Sequence, residues 1–87
     1  MIYVNTEDQD MEYDKDKVDE LVLALLYLTT HEQGTRAWKG MDWETMNRLH
    51  EKGYIGNPKS KAKSVILTQK GAQLSEELFK KHFGLSS

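Results

Sequence analysis

The chain has 87 residues, a formal net charge of −2, one proline and no cysteine. This length suits one domain with a modest core, and a chain of this size buries only about 60–65% of its unfolded surface, so self-association would add stability. The absence of cysteine excludes a disulfide framework and a thiolate zinc site. No apolar run is long enough to span a bilayer and the N-terminus lacks a signal-peptide pattern, so we expect a cytoplasmic protein without membrane contact.

Charged residues are distributed unevenly along the chain. Residues 1–30 carry two basic and eight acidic residues, a net charge of −6, whereas residues 31–63 carry seven basic and four acidic residues, a net charge of +3. Such asymmetry is typical of a nucleic-acid-binding face opposite an acidic segment, but an ordinary solvated surface gives the same distribution. Both interpretations stay open.

The first 13 residues become polar and acidic after a short β-prone run at residues 2–4. We expect residues 1–13 to form a flexible acidic tail, because chain ends become ordered only where the fold holds them. The alternative is that residues 2–4 add a strand to a sheet. Met11 is also placed to be a second translation start, which would make the first ten residues dispensable.

A helix is predicted from Lys15 to Thr30, with Asp14 as its N-cap. One face of this helix is lined by apolar residues and further apolar residues widen that face: Val18, Leu21, Val22, Leu25 and Leu28, then Leu23, Leu26 and Tyr27. An apolar arc this broad predicts burial on more than one side. The helix is therefore the central core helix, or it is also the subunit interface of a homodimer.

The next segment, residues 31–41, gives a weaker pattern. Gly34 and Gly40 bracket five residues that suit a short strand or a single turn. We expect Trp38, inside this segment, to lie in the core rather than to serve as a ligand platform, because tryptophan usually buries most of its surface.

The central stretch, residues 43–72, gives the strongest pattern. Asp42 is suited to cap a helix whose apolar side is Trp43, Met46 and Leu49. Gly53 is placed to end this helix in the left-handed conformation, with Tyr54 folding back onto Leu49.

An extended run starting at Tyr54 and Ile55 is predicted to pair with the β-prone residues 64–67. The loop between them carries Lys59, Lys61 and Lys63. Thr68 is suited to cap a final helix, Gly71 in its first turn favours close backbone packing onto the hairpin, and Gly84 is placed to stop it.

Two sequence patterns resemble known families. The helix ending LHEKGYI at residues 49–55, the basic turn, and VILTQKG at residues 65–71 resemble the second half of winged-helix domains such as the MarR-like and PadR-like regulators. From Met11 onward, with DKDKVDELVLALLYLT, RAWKG and KAKSVILT, the chain is also similar to a family of short bacterial proteins of unassigned function.

The resemblance implies an α+β fold, with residues 14–85 forming one small winged-helix-like domain. We expect about three helices and a two- or three-stranded antiparallel wing sheet. Residues 30–41 are too few for the supporting helix and its turns, so the helix-turn-helix half is expected to be truncated.

The winged-helix resemblance also implies candidate contacts with double-stranded DNA. The helix from Asp42 to Lys52 would enter the major groove, with Thr45 and Arg48 facing outward, beside Asn47. The wing lysines Lys59, Lys61 and Lys63 would contact phosphates or the minor groove. Arg36 is the remaining candidate contact. The candidate set forms one DNA-binding surface only if Arg36, Arg48 and the three wing lysines lie on the same face.

No set of residues in the sequence predicts catalysis. His31, His50 and His82 lack metal-ligand spacing, and neither a phosphate-binding glycine loop nor a nucleophile in a recognisable setting is present. We therefore expect a protein that is not an enzyme and that holds no cofactor or metal.

Two binding functions remain. One is a transcription-regulator-like DNA-binding module, dimeric through the first helix. The alternative is a protein-interaction module on the same scaffold. Its support is the wide apolar arc of Val18–Leu28, together with a charge of −1 over residues 42–52 that phosphate would repel.

Overall fold

Three α-helices and two short strands alternate along the described part of the chain. The structure is a computed structural model and describes residues 11–85. The elements are α1 (Lys15–Leu26), β1 (Arg36–Trp38), α2 (Trp43–Glu51), β2 (Ser64–Ile66) and α3 (Gln69–Phe83). This confirms the predicted α+β class, and the arrangement is consistent with a small winged-helix-like domain.

The expected acidic tail and the strand proposed at residues 2–4 fall largely outside the described residues. Only residues 11–13 of the tail are described, and they have neither helical nor strand structure. The proposal of a second start at Met11 is likewise not addressed by the fold.

Each helix begins at the residue that its sequence predicts. Asp14, Asp42 and Thr68 have non-helical backbone angles, and the side chain of each accepts a hydrogen bond from the backbone amide three residues later, at 3.0, 3.1 and 2.9 Å. These bonds satisfy amides that the first turn of a helix leaves without partners. The three predicted N-caps are confirmed.

The end of α2 follows the predicted pattern as well. Gly53 has a φ of +84°, and its amide donates to the carbonyl of His50 at 3.0 Å. The amide of Tyr54 donates back to the carbonyl of Leu49, also at 3.0 Å. This pair of bonds is the Schellman arrangement, which requires a residue that tolerates positive φ.

The sheet joins β1 to β2 in antiparallel register. Arg36 lies opposite Ile66, Ala37 opposite Val65, and Trp38 opposite Ser64. Side chains alternate between the two faces of a strand. The Ala37–Val65 pair is therefore buried in the core, whereas Trp38 and Ile66 project from the outer face.

The expected hairpin between residues 54–55 and 64–67 is reduced to a single bridge. Ile55 pairs with Leu67, and the Gly56 amide donates to the Ile66 carbonyl at 2.8 Å. The ladder partner of β2 is instead β1, from the segment with the weaker sequence pattern. The expectation that residues 54–55 are the main partner of β2 is corrected accordingly.

Residues 27–41 contain no further helix of regular α type. They form a 3₁₀ turn (Tyr27–Thr29), a tight turn in which Glu32 and Gln33 both have positive φ, and β1. The structure of this segment therefore agrees with the prediction that residues 30–41 are too few for a supporting helix and its turns.

The core lies where α1, α2 and the inner face of the sheet meet. Its buried side chains come from all of these elements and their connections: Val22, Leu23, Leu26, Ala37, Met46, Leu49, Ile55, Val65 and Leu67. Along its length α1 packs against α3, and more briefly against α2. Ser75 of α3 is fully buried and donates to the carbonyl of Leu23 at 3.0 Å, which fixes the two helices at close range.

Candidate functional site

Arg48, a candidate DNA contact, faces α1 and is bound to a buried carboxylate. Its Nε lies 2.8 Å from Asp19 Oδ1, its Nη2 lies 2.8 Å from the same oxygen, and Lys52 Nζ lies 2.8 Å from Oδ2. Asp19 is only 2% exposed. The expectation that Arg48 faces outward is therefore wrong, because a buried carboxylate needs a cation with several donors.

The ionisation of Asp19 follows from this geometry. Burial raises its pKa, but the hydrogen bonds from Arg48 and Lys52 outweigh burial and hold the pKa below its ordinary value. The same hydrogen bonds raise the pKa of Arg48 and of Lys52. The three groups therefore remain charged together and join α1 to α2.

Thr45, expected on the outward side of α2, is completely buried. Its hydroxyl donates to Asp42 Oδ2 at 2.9 Å and accepts from Arg48 Nη2 at 3.1 Å. The outward placement of Thr45 is wrong, because the helix turns this side toward Asp19. The outer side of α2 instead presents Trp43, Glu44 and Glu51, which are exposed.

Arg36 lies on the outer face of the sheet and is held there by its neighbour on β2. Its Nε donates to Ser64 Oγ at 2.6 Å and its Nη2 donates to the Ser64 carbonyl at 3.0 Å. Glu32 Oε2 is 3.8 Å from the Nε. The guanidinium therefore stays close to the sheet rather than reaching into solvent.

The three loop lysines are exposed, as the sequence predicts. Lys59, Lys61 and Lys63 form no ion pair with any other residue in the described range 11–85. A fourth lysine, Lys39, instead closes the loop by donating from Nζ to the carbonyls of Pro58 and Ser60. The loop is thus attached to the residue that follows β1, and it carries three lysines without an ion-pair partner in the described range.

Trp38 was expected in the core, but it is 51% exposed. Its indole lies directly over Gly40: a Cβ added at Gly40 would be 2.1 Å from Cζ2 of the ring. One ring face is thus covered by backbone. Odd and even positions of a strand point to opposite faces, and the buried Ala37 forces Trp38 outward. Trp43, expected on the apolar side of α2, is also outside, at 53% exposure.

A second apolar surface lies on α1 and the turn that follows it. Val18, Leu21, Leu25 and Leu28 have the 3–4–3 spacing of a coiled-coil seam, and we call these four residues the α1 seam. Exposure rises along it, from half-buried Val18 and Leu21 to 38% at Leu25 and 67% at Leu28. The buried side of α1 is formed by other residues, chiefly Asp19, Val22, Leu23 and Leu26.

On its other flank α1 is held to α3 by a second acidic residue. His82 Nε2 donates to Glu20 Oε2 at 2.5 Å, and Lys81 Nζ lies 3.6 Å from the same oxygen. The hydrogen bond from His82 lowers the pKa of Glu20. Adjacent residues on a helix point about 100° apart. Asp19 and Glu20 therefore fix two different helices to α1.

A groove of about 240 Å³ lies between these contacts, among α1, Lys52, Tyr54 and α3. Leu23, Leu49, Leu74 and Leu78 line its apolar part. Small-molecule sites usually have volumes of about 300–1,000 Å³, so this groove lies below that range.

No cluster of three or more potential metal ligands occurs within residues 11–85. No described helix is long and apolar enough to cross a bilayer.

Comparison with known proteins identifies the family. Residues 14–85 match the family described as Domain of unknown function (DUF6429). The chain belongs to this family. It is 55% identical over 73 residues to "Uncharacterized protein y4hR" of Sinorhizobium fredii (strain NBRC 101917 / NGR234), an alignment that covers 84% of this chain and 97% of that protein. No solved structure matches. The resemblance to proteins of unassigned function is confirmed.

The DUF6429 fold brings together only part of the candidate set. Arg36 lies on the outer face of the β1–β2 sheet and the three lysines lie on the exposed loop that leads into β2, whereas Thr45 and Arg48 are turned toward α1. Sequence reasoning missed the exposed Trp38. The alternation of Arg36, Ala37 and Trp38 carried the signal, because a buried Ala37 excludes Trp38 from the same face.

Proposed function

We propose that this DUF6429 domain is a protein-interaction module that pairs with a second copy of itself through the α1 seam. The observation that carries the proposal is the position of the seam. Its four residues have coiled-coil spacing. Val18 packs partly against the core, but Leu25 and Leu28 are exposed, and Leu21, Leu25 and Leu28 take no part in the core cluster. Exposed leucines at such spacing indicate a helix partner.

An antiparallel pair of α1 helices satisfies the seam. If the two-fold axis crosses the seam at the height of position 23 along the helix, Leu21 lies opposite the second copy's Leu25, and Val18 lies opposite its Leu28. Every seam residue then contacts a seam residue, as an isologous interface requires. The small size of the domain favours this pairing, because its own core buries a limited apolar area.

Charge favours the antiparallel over the parallel arrangement. All acidic and basic residues of the first 30 lie within residues 1–20, which have a net charge of −6, and residues 21–30 carry no charge. Parallel helices would place two such acidic segments side by side. Antiparallel helices place each acidic segment beside the uncharged end of the other, which avoids like-charge repulsion.

Double-stranded DNA binding by α2 has weaker support than self-association. Arg48 and Thr45 are engaged with Asp19 and Asp42, and the exposed side of α2 carries Glu44 and Glu51. These acidic side chains, placed in the major groove of DNA, would be repelled by the phosphates. The free loop lysines alone would give binding without sequence readout.

Sedimentation velocity across a range of concentrations tests the proposal. The wild-type chain is expected to sediment as a dimer, and the double variant Leu25→Glu/Leu28→Glu as a monomer, because four charges would meet in one apolar seam. Leu85→Glu is the matched control, since Leu85 is 98% exposed and lies outside the seam. It should remain dimeric. A wild-type monomer at all concentrations, or a dimeric double variant, would refute self-association through α1.

Cysteine pairing tests the register, because the natural chain has no cysteine. Under mild oxidation an equimolar mixture of Leu21→Cys and Leu25→Cys chains should form cross-linked dimers, whereas each variant alone should not. Cross-linking of Leu25→Cys to itself would indicate parallel helices and contradict the proposed register.

A further inference from the structure

The outer face of the sheet combines an aromatic ring with free cations. Trp38 projects from β1, and Ser64 lies opposite it in register. Ser64 directly follows Lys63, and Lys39, next to Trp38, binds the loop carbonyls of Pro58 and Ser60. The strand pairing and Lys39 therefore tie both ends of the loop to the segment that carries the indole, with Lys63 adjacent to the residue opposite Trp38.

The indole ring of Trp38 is held in position and presents a flat surface. Gly40 supports one side of the ring so closely that any side chain there would collide with it. About half of the residue is nevertheless exposed, so part of the ring surface is accessible to a ligand. A ring that is fixed on one side and partly accessible can stack on a planar group at small entropic cost.

The loop lysines supply charge next to this surface. Lys61 and Lys63 have no ion-pair partner among the described residues, and Lys59 lines a shallow groove with Asn47, His50 and Glu51. Arg36 lies on the same sheet face, where it is bonded to Ser64 and is 3.8 Å from Glu32 Oε2. An open aromatic ring beside several free cations is the combination that binds unpaired bases and their phosphates.

We infer that the outer sheet face and the 59–63 loop bind single-stranded nucleic acid. A base stacks on Trp38, and neighbouring phosphates contact Lys59, Lys61 and Lys63. A duplex is a poorer ligand, because paired bases do not offer a free ring face. Stacking tolerates any base, so binding has little sequence preference. This site uses residues other than those of the α1 seam, and it adjoins the Leu28 end of the seam, because the Trp38 amide donates to Thr29 Oγ1 at 2.9 Å.

Fluorescence anisotropy with labelled oligothymidine and oligouridine of about 12 nucleotides tests the site at low salt. The wild-type chain should bind both. Trp38→Ala should weaken binding roughly 5- to 150-fold, the usual effect of losing one stacked base. Trp38→Phe should recover most of the affinity. Trp43→Ala is the matched control, since Trp43 is equally exposed, and it should bind as the wild type does.

Salt dependence tests the lysines. Replacing Lys59, Lys61 and Lys63 together with glutamine should reduce the slope of log Kd against log salt by about 2. Replacing Lys70, Lys80 and Lys81, which are exposed on α3, should leave that slope unchanged.

Tryptophan fluorescence gives a direct readout of stacking. The chain has two tryptophans, so Trp43→Phe leaves Trp38 as the only emitter. Its emission should be quenched when oligothymidine is added. The dimerisation variant Leu25→Glu/Leu28→Glu should still show this quenching, which separates the site from self-association.

Three results would overturn the inference. The first is no binding of either oligonucleotide by the wild-type chain at low salt. The second is equal affinity of Trp38→Ala and wild type. The third is equal affinity for oligothymidine and for an abasic strand of the same length or a duplex, which would indicate attraction to any polyanion rather than base stacking.

Discussion

Asp19 of α1 and Arg48 of α2 form a two-pronged ion pair, with Arg48 Nε and Nη2 both 2.8 Å from one carboxylate oxygen of an aspartate that is 2% exposed. This contact joins two helices that also share the apolar core. It also removes Arg48 from the surface on which a DNA-reading helix would present it.

Loss of the arginine should destabilise the fold more than loss of the neighbouring lysine. Arg48→Met leaves Asp19 buried with one cation, and we expect a loss of about 3 kcal/mol in the free energy of unfolding, measured by urea denaturation. Lys52→Met should cost less, because Lys52 is 35% exposed and pairs with Asp19 at a single oxygen. Adding Asp19→Asn to Arg48→Met should recover part of the loss. An Arg48→Met loss no larger than that of Lys52→Met would contradict this account.

Stability should fall in acid as Asp19 is protonated. The pKa of Asp19 is below its ordinary value of 3.8 in the folded chain, so the folded state binds the proton less readily than the unfolded state does. Its contribution is therefore fully present above pH 3.8 and is lost as the pH falls through the folded pKa. Thermal unfolding between about pH 6 and pH 2 measures this. Asp19→Asn should remove this part of the pH dependence, and an unchanged profile would show that other carboxylates cause it.

Gly71 should tolerate no side chain, although it lies in a helix. A Cβ at Gly71 would be 1.8 Å from the carbonyl oxygen of Tyr54, so Gly71→Ala should cost about 3 kcal/mol or more despite the higher helix propensity of alanine. Gly56→Ala is the control, because the nearest atom there would be 3.7 Å away. Guanidinium denaturation compares the two. Equal stability of both variants would mean that α3 can shift away from Tyr54.

Local signals in the sequence determined where the three helices begin and where α2 ends, whereas α1 gives way to a 3₁₀ turn after Leu26, before the predicted end at Thr30. Asp14, Asp42 and Thr68 cap helices as predicted, because a cap needs only its own side chain and an amide three residues away. The Gly53 stop and the close approach at Gly71 were predicted for the same reason: glycine permits a backbone geometry that other residues resist.

The pairing of the strands was harder to predict from the sequence than the helix boundaries. The β-prone residues 64–67 were correctly identified as a strand, but the sequence favoured residues 54–55 as their partner. The ladder forms with β1 instead, and Ile55 contributes a single bridge. Strand pairing depends on which edges the helices bring together, and short segments do not encode that choice locally.

The orientation of side chains determines which surfaces can bind, and only the tertiary structure showed that orientation. The sequence showed that α1 is apolar over a broad arc, but the docking of α2 and α3 at Asp19 and Glu20 determines which part of that arc stays open. The same docking turns Arg48 and Thr45 inward, and the burial of Ala37 turns Trp38 outward. Caps and helix stops are set by neighbours along the chain, whereas exposure is set by residues distant in sequence. For this reason the sequence determined the elements, and only the fold decided which of their faces can bind.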